Sequence, residues 1–574
     1  MAVTKSYGGL GVSAFGGMIS PSRKVMQFND AQTHRGSSRN TRLFSDRLPL
    51  PFELGDEDMN YDDGATNTNL HIDPTTPLIL GFNKYSHDTS ITAANADSGD
   101  VLFHLSKERQ SRKKHDGGTS ATLTDTCLEC LGVSTENVVR VVVNNHHHRV
   151  LPMERDIGHL KWCDDLGINS VRGEELSDEY NLLPDAEKFE LSHHLAHAYS
   201  AATQSSFDRG VVVVMDGMGE TYRTMKSAMH AQDEQYHCDL QYDSFPMIPS
   251  DLEERAQYST HDWREGESVY TYQKVAGSNK LSIKPVFKRW IEEKTPPTLY
   301  NHGFENMQSM GALYSRVSSH LFGNWNVCGK VMGLAPWSVQ YKPTLNDEPI
   351  VAGKLYEDGG LTINKDLVTG ETLLRTSSYG FGLEPEYIRT TKENREKERD
   401  EKIKNGAKIP IEDEMPPPPI PEEAIALSQK IQTNLEDVTL DFMDWVKTTT
   451  QENNLCFVGG VALNSVLNGR IVRESGFDQV FIPPYPGDEG ISVGCCAFGL
   501  YGESLPPPPF LKTAGVSDTK PVTGSAPPIW SLPLTPYLGP SYDSFDIEDA
   551  IDSARPFLEI EEITNTDKLC ETVA

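Results

Sequence analysis

The sequence predicts an α/β fold built as two related lobes that face a cleft. Three observations carry this reading. Short runs of β-branched and aliphatic residues, such as Val138 to Val143 and Val211 to Met215, have the continuous apolar character of strands buried on both faces. A pattern of strand, polar turn and strand occurs twice, at Leu78–Ala96 and at Val211–Ala228. Glycine-bearing turns follow several of the apolar runs, at Gly217 and Gly219, at Gly459-Gly460 and at Gly487.

Taken in order, Met1 to Arg47 is rich in Gly, Ser and Arg and poor in acids, so residues 1–76 read as a disordered or targeting-like extension. Leu78 to Phe82 is a short apolar strand. Ile91 to Ala96 and Val101 to Leu105 flank the turn Asp97-Ser-Gly-Asp100 and read as a hairpin. Val138 to Val143 is a buried strand, and a helix carrying several histidines follows near Leu191. These elements, within 77–205, form the first lobe. The second, 206–502, opens with the strand Val211 to Met215, a glycine turn and a further strand reaching Ala228. Residues 391–421 combine dense charge with Pro416 to Pro419 and cannot bury enough apolar surface to order themselves. Ile425, Ile431, Leu435, Val438, Phe442 and Trp445 then recur at helical spacing, which predicts a long amphipathic helix. Leu455 to Val458 is a buried strand that turns through Gly459-Gly460 into a helix near Ala462. A last unit has Asp488 at the start of a small-residue helix. Pro, Ser and Gly dominate 503–540, a linker, and 541–574 reads as the beginning of a further domain.

The 574 residues carry 83 acidic and 52 basic side chains, a formal net charge of -31. Such a chain is repelled by nucleic acid and by anionic membrane surfaces. No apolar run is long enough to span a bilayer. Nine cysteines without framework spacing suit a reducing compartment. The expected location is cytoplasmic, with a plastid or mitochondrion left open by the N-terminal extension.

The chemistry concentrates in "LSHHLAHAYSAATQ", where His193 and His197 stand four apart and share one helix face. They are either satisfied core histidines or two ligands of one metal ion. His194 occupies the position where the zinc-protease signature has its glutamate, so that hydrolytic arrangement is missing. Asp216 and Asp488, each on a turn after a buried strand, are the natural suppliers of an anionic ligand. His87, with an ordinary pKa near neutrality, is the candidate for acceptor contact or general base. Glycine turns of this kind let backbone N–H groups approach an anion. Gly217, Gly219, Gly459 and Gly460 are therefore candidate nucleotide-binding residues; the Gly459-Gly460 turn with Asn464 resembles an adenosine-binding turn, and Lys330 and Gly333 are either phosphate supports or an ordinary surface helix end.

Seven segments now occur in a telling order: "GFNKYSHDTSIT", "KERQSRKKHDGG", "LSHHLAHAYSAA", "VVVVMDGMGE", "GKVMGLAPW", "LCFVGGVALNSVLNGRI" and "PPYPGDEGISVGCCAFG". Together they resemble the O-carbamoyltransferases of nodulation-factor and antibiotic biosynthesis, over about Pro77 to Gly502. The wider kinship is with tRNA threonylcarbamoyl-transfer proteins and the carbamoyl-handling part of hydrogenase maturation factors. The resemblance implies the duplicated actin/sugar-kinase-like, ribonuclease-H-like ATPase fold. It implies His193, His197 and Asp488 as ligands of a divalent metal, iron before zinc, and Asp216 beside the phosphates. It implies carbamoyl phosphate and ATP as substrates, carbamoyl-adenylate as intermediate, and a hydroxyl of a small molecule as acceptor. Members of the family carry a C-terminal adenylate-forming domain, which this sequence enters at "PYLGPSYDSFDIEDAIDSA" and does not complete. A separate adenylate-forming domain and a homodimer are the open partners. Two alternatives stand beside the leading one: a threonylcarbamoyl transferase acting on tRNA, which the acidity opposes, and an inactive nucleotide-binding regulatory module.

Overall fold

The central strands of both sheets form where the apolar runs predicted them. A computed structural model describes residues 71–144, 183–241, 262–293, 307–368, 404, 422–509, 538–540 and 544–555, less 85–86, 118–119, 276–279, 323, 344–347, 358–359, 365–366 and 507. Residues 1–70, the insertion 391–421 apart from Lys404, and most of the 503–540 linker lie outside the described residues. Asp62–Tyr542 is one compact unit. Met1–Tyr61 with Asp543–Ala574 is another, in which a helix covers Ser544–Ala554.

The strands described in the large unit are β1 (Leu78–Asn83), β2 (Ser90–Asn95), β3 (Val101–Ser106), β4 (Val138–Asn144), β5 (Glu187–Leu191), β6 (Arg209–Met215), β7 (Tyr236–His237), β8 (Asp262–Val275), β9 (Lys280–Glu293), β10 (Val351–Gly353), β11 (Leu361–Ile363), β12 (Asn454–Val458) and β13 (Gln479–Phe481). The first sheet runs β3-β2-β1-β4-β5-β7 and the second β9-β8-β6-β12-β13, with β10 and β11 a separate pair. In the first sheet β1, β2 and β3 are antiparallel, and β4 and β5 continue parallel to β1. In the second, β6, β8 and β9 are antiparallel, and β12 and β13 continue parallel to β6. One strand order, 3-2-1-4-5, is therefore built twice. The chain boundary at 205 does not separate the sheets cleanly, because β7 extends the first sheet beside β5.

The duplication differs from the sequence expectation in one element. The segment after the Gly217–Gly219 turn is not a strand: Tyr222–His230 is a helix, and the antiparallel partner of β6 is β8. Tyr222, Met225 and Ala228 recur every three residues and pack with Tyr236, Cys238 and Trp290. Thr221 Oγ1 accepts from the Thr224 amide at 3.1 Å and so starts the helix.

Two wholly buried helices, His193–Gln204 and Ile491–Tyr501, lie between the sheets. Alternation along the strands sends Ile79, Val142, Val212 and Val214 inward to them. Leu78, Leu80, Val141 and Val143 face the helix Ala121–Leu131 on one outer side. Val211, Val213 and Phe457 face the helices Met310–Phe322 and Glu422–Thr450 on the other. The two central helices approach closely at Gly494, where a Cβ would fall 1.9 Å from the Ala196 carbonyl oxygen. Only glycine fits there. No helix among the described residues is long and apolar enough to cross a membrane.

Candidate metal centre

Several strands end at one place. Asn83 ends β1, Asn144 ends β4, Asp216 follows β6, and His193 opens the helix after β5. Asp488 arrives from the other side, on the single helical turn Asp488–Gly490 that leads into the helix Ile491–Tyr501. The carboxyl ends of parallel strands are where α/β sheets present ligand sites.

His193, His197, Asp216 and Asp488 are all buried, and each offers one ligand atom within 4.8 Å of the others. His193 Nε2 lies 2.9 Å from Asp216 Oδ2 and 3.5 Å from Asp488 Oδ1. His197 Nε2 lies 3.7 Å and 3.4 Å from the same two atoms. Asn144 Nδ2 donates to the Leu191 carbonyl at 2.8 Å, which turns its Oδ1 to His193 Nδ1 at 3.1 Å. His193 therefore carries a proton on Nδ1, and its other nitrogen faces two carboxylates.

Two buried carboxylates facing two imidazole nitrogens require positive charge between them. Without a metal, protons supply it. Burial alone would depress His193, but Asp488 and Asp216 raise it to about 10. His197 is raised by the same two neighbours against its burial. The histidines in turn hold Asp216 and Asp488 below the usual carboxylate range, despite burial and their mutual repulsion. Neither ring nitrogen of His197 makes a hydrogen bond, although the side chain is fully buried. Two imidazoles, two carboxylates and an orphaned buried nitrogen fit a divalent cation.

His87 stands at the edge of this cluster, its Nδ1 3.7 Å from Asp488 Oδ2 and 3.0 Å from Asp88 Oδ2. Burial would lower it, but Asp88 and Asp488 bring it to about 9. Glu489 is pushed up to about 7 by burial and by Asp88 nearby.

The glycines act mainly as shape. Gly459 has φ +102°, and a Cβ there would fall 2.3 Å from the Met215 carbonyl oxygen. Its amide donates to the Pro486 carbonyl, and the Gly460 amide donates to Asp216 Oδ1 at 3.0 Å. The Gly219 amide is taken by the Glu265 carbonyl, and the Gly217 carbonyl accepts from Ser309 Oγ. Asn464 caps the helix Ser465–Glu474 by accepting from the Leu467 amide, and it pairs reciprocally with Gln432. Lys330 and Gly333 are not among the residues around the histidines. With Phe322, Leu334 and Trp337 they line a shallow, open depression on the surface.

Sequence reasoning did not single out Asn144, which orients His193, or Asp88, which grips His87. An asparagine ending a buried strand has no spacing signature. Asp88 was legible only as the neighbour of His87.

The protein-family model "Carbamoyltransferase N-terminus" matches residues 181–497. That span includes His193, His197, Asp216 and Asp488. The chain belongs to this family. It is 24% identical over 441 residues to an uncharacterised protein of Synechocystis, covering 72% of this chain and 56% of that one. It is 22% identical over 434 residues to the nodulation protein NolNO of Sinorhizobium fredii, covering 74% and 48%. The chain thus spans about half the length of the curated relatives it matches. Among solved structures it is similar to full-length HypF in its phosphate- and nucleotide-bound form, with 13% identity and a TM-score of 0.37, covering 76% of this chain and 57% of that one.

Proposed function

We propose that this carbamoyltransferase-family chain moves a carbamoyl group from carbamoyl phosphate, by way of carbamoyl-adenylate, to a hydroxyl of a small molecule. The observation that carries the reading is the meeting of His193, His197, Asp216 and Asp488 at the strand ends between the two sheets. The repeated strand order supports reading the sheets as the two lobes of an actin/sugar-kinase-like nucleotide-binding fold.

In this reading His193, His197 and Asp488 hold the metal, iron or zinc, with Asp216 a fourth donor. A divalent ion so held supplies charge neutralisation on the departing phosphate. The chain's own groups do the rest. Asn144 keeps His193 in one tautomer, and Gly460 holds Asp216 in place. His87 contacts the acceptor hydroxyl or, when its ring is neutral, takes its proton. Gly217, Gly219 and Gly459 shape the turns that let the nucleotide approach. Lys330 and Gly333, on a shallow open depression, support part of the ATP. A separate adenylate-forming domain is the partner that builds the intermediate. The formal charge of -31 sets this reading above transfer to tRNA, whose phosphates it would repel.

The test is incubation of the metal-loaded protein with carbamoyl phosphate, ATP and a pool of hydroxylated metabolites, with and without an added adenylate-forming domain. A product heavier by one carbamoyl group, released with AMP, is the expected result. No AMP and no carbamoylated product under either condition would leave an inert nucleotide-binding module instead.

A further inference from the structure

Residues 107–114 hold five cations, Lys107, Arg109, Arg112, Lys113 and Lys114, against the single acid Glu108, in a chain of formal net charge -31. This basic segment is stitched to the edge of the metal centre. The Lys107 amide donates to the Thr89 carbonyl at 2.7 Å, and the Thr89 amide donates to the Asp116 carbonyl at 3.0 Å. His115 Nδ1 lies 2.9 Å from Asp88 Oδ1, and its ring centroid stands 6.5 Å from that of His87. Asn83 Nδ2 donates to the Asp88 carbonyl at 3.1 Å and to the Asp488 carbonyl at 3.0 Å. The segment therefore borders the centre from the first sheet, beyond His87. The turn that carries Gly460 reaches the centre from the second sheet, through Asp216.

Part of this positive charge is spent locally and part is not. Lys107 Nζ donates to the Gly117 carbonyl, and Lys114 pairs with Glu108. Arg109 and Lys113 are exposed, with their nearest acids at 3.9 Å and 3.4 Å. Arg112 is exposed, and its guanidinium has no partner among the described residues. Arg112 also ends the helix Lys107–Ser111 in the left-handed region, at φ +57°, where glycine or asparagine is the favourable choice. Asp88 at φ +52° and His115 at φ +56° share that conformation, so three of the six such non-glycine residues among those described cluster here. Backbone strain gathers in this way where side chains must be presented in one arrangement. An arginine that stands where glycine fits best is kept for its side chain.

We propose that Arg112, with Arg109 and Lys113 beside it, forms a subsite for a phosphate group carried by the hydroxylated acceptor. The inference rests on the carbamoyl-transfer reading above and names the acceptor's chemical class. Two guanidinium forks and an ammonium match a phosphate dianion in charge and in hydrogen-bond geometry. An anionic acceptor approaching so acidic a chain needs local cations to reach it. The position of the segment, beyond His87 and across the centre from Gly460, assigns the phosphate to the acceptor rather than to the nucleotide.

The experiment titrates the full chain, treated with chelator so that no metal competes for phosphate, with glycerol 3-phosphate, inorganic phosphate and glycerol. The two phosphate compounds should bind, more weakly as salt is raised, and glycerol should not. Arg112→Gly supplies the residue that the backbone prefers, so its thermal midpoint should match or exceed the wild type's. The same variant should bind glycerol 3-phosphate about tenfold more weakly, and Arg112→Lys should lose less. Arg473→Ala removes an exposed cation outside the segment and should cost under about twofold. Metal-loaded protein given carbamoyl-adenylate then tests the assignment to the acceptor. Wild type should prefer glycerol 3-phosphate to glycerol, and Arg112→Gly should reduce that preference about tenfold. No binding of either phosphate compound, or equal losses in Arg112→Gly and Arg473→Ala, would overturn the subsite. A rise in the KM of carbamoyl-adenylate rather than of glycerol 3-phosphate would place the donor's phosphate there and overturn the assignment. Failure to carbamoylate either acceptor would refute carbamoyl transfer itself, and the titrations would then decide on the subsite alone.

Discussion

Asn144 Oδ1 lies 3.1 Å from His193 Nδ1, and that contact decides which nitrogen of His193 faces Asp216 and Asp488. Both partners are fully buried, so no water competes for the bond. Replacing Asn144 with alanine should leave His193 present but free to turn. Removing such a support commonly costs 10–100-fold in metal affinity, roughly, and competition with a chelator should read a loss of that size. Retention of wild-type affinity would mean that helix packing alone orients the ring.

The metal-free protein should lose stability as pH rises. His193 is raised from 6.5 to about 10, so its contribution is complete below about pH 6.5 and disappears as pH climbs through about 10. Asp216 and Asp488 are lowered, so theirs is present above the ordinary aspartate range and lost as pH falls below it. Thermal denaturation of chelator-treated protein should therefore show its highest midpoint between about pH 4 and 6.5. Metal competes with the histidine protons, so apparent metal affinity should instead rise with pH over 6.5 to 10.

Gly494 governs whether the centre can assemble. Gly494→Ala would press a methyl group onto the Ala196 carbonyl, 1.9 Å away, and force apart the helices that carry the histidines and Asp488. A loss of about 1–3 kcal/mol in chemical denaturation is expected, with metal affinity falling in the same variant. Unchanged metal affinity at reduced stability would show that the helices can separate without moving Asp488.

The apolar strands were legible because β1, β4, β6 and β12 are buried on both faces and read as unbroken hydrophobic runs. The long hairpin of β8 and β9 was not, because it buries charge. Glu265, Glu267 and Lys288 are inaccessible yet paired, Lys288 with Glu265 and Asp239 and Arg289 with Glu267, while the buried Arg264 donates to the Gly219 carbonyl. A strand that hides ion pairs looks like a surface segment in sequence. The helix Tyr222–His230 was misread because its apolar face is only three residues wide. At the centre, the histidine spacing was readable, Asp216 and Asp488 stood out as carboxylates on turns after buried strands, and the family resemblance selected Asp488 as the ligand. Asn144, Asp88 and Asn83 act through contacts between distant segments, which no local pattern encodes.

That same buried charge makes Lys288 a point of weakness. Its ammonium lies 2.5 Å from Asp239 Oδ2 and also bonds Glu265, whose carboxylate accepts the Glu220 amide beside the Gly217–Gly219 turn. Lys288→Met would leave both carboxylates buried without a counter-charge. The expected cost is about 3–5 kcal/mol by chemical denaturation, partly recovered when Glu265→Gln is added. A near-neutral single variant would show that the two carboxylates protonate or rehydrate without penalty.

The central claim is that His193, His197, Asp216 and Asp488 enclose one cation. Anomalous diffraction from crystals of the metal-loaded protein, collected at the absorption edge of the metal, tests it most directly. The account predicts a single strong peak about 2.0–2.2 Å from Nε2 of both histidines and from an Asp488 oxygen, absent in His197→Ala. A peak elsewhere, or none at this position with the protein fully loaded, would contradict it.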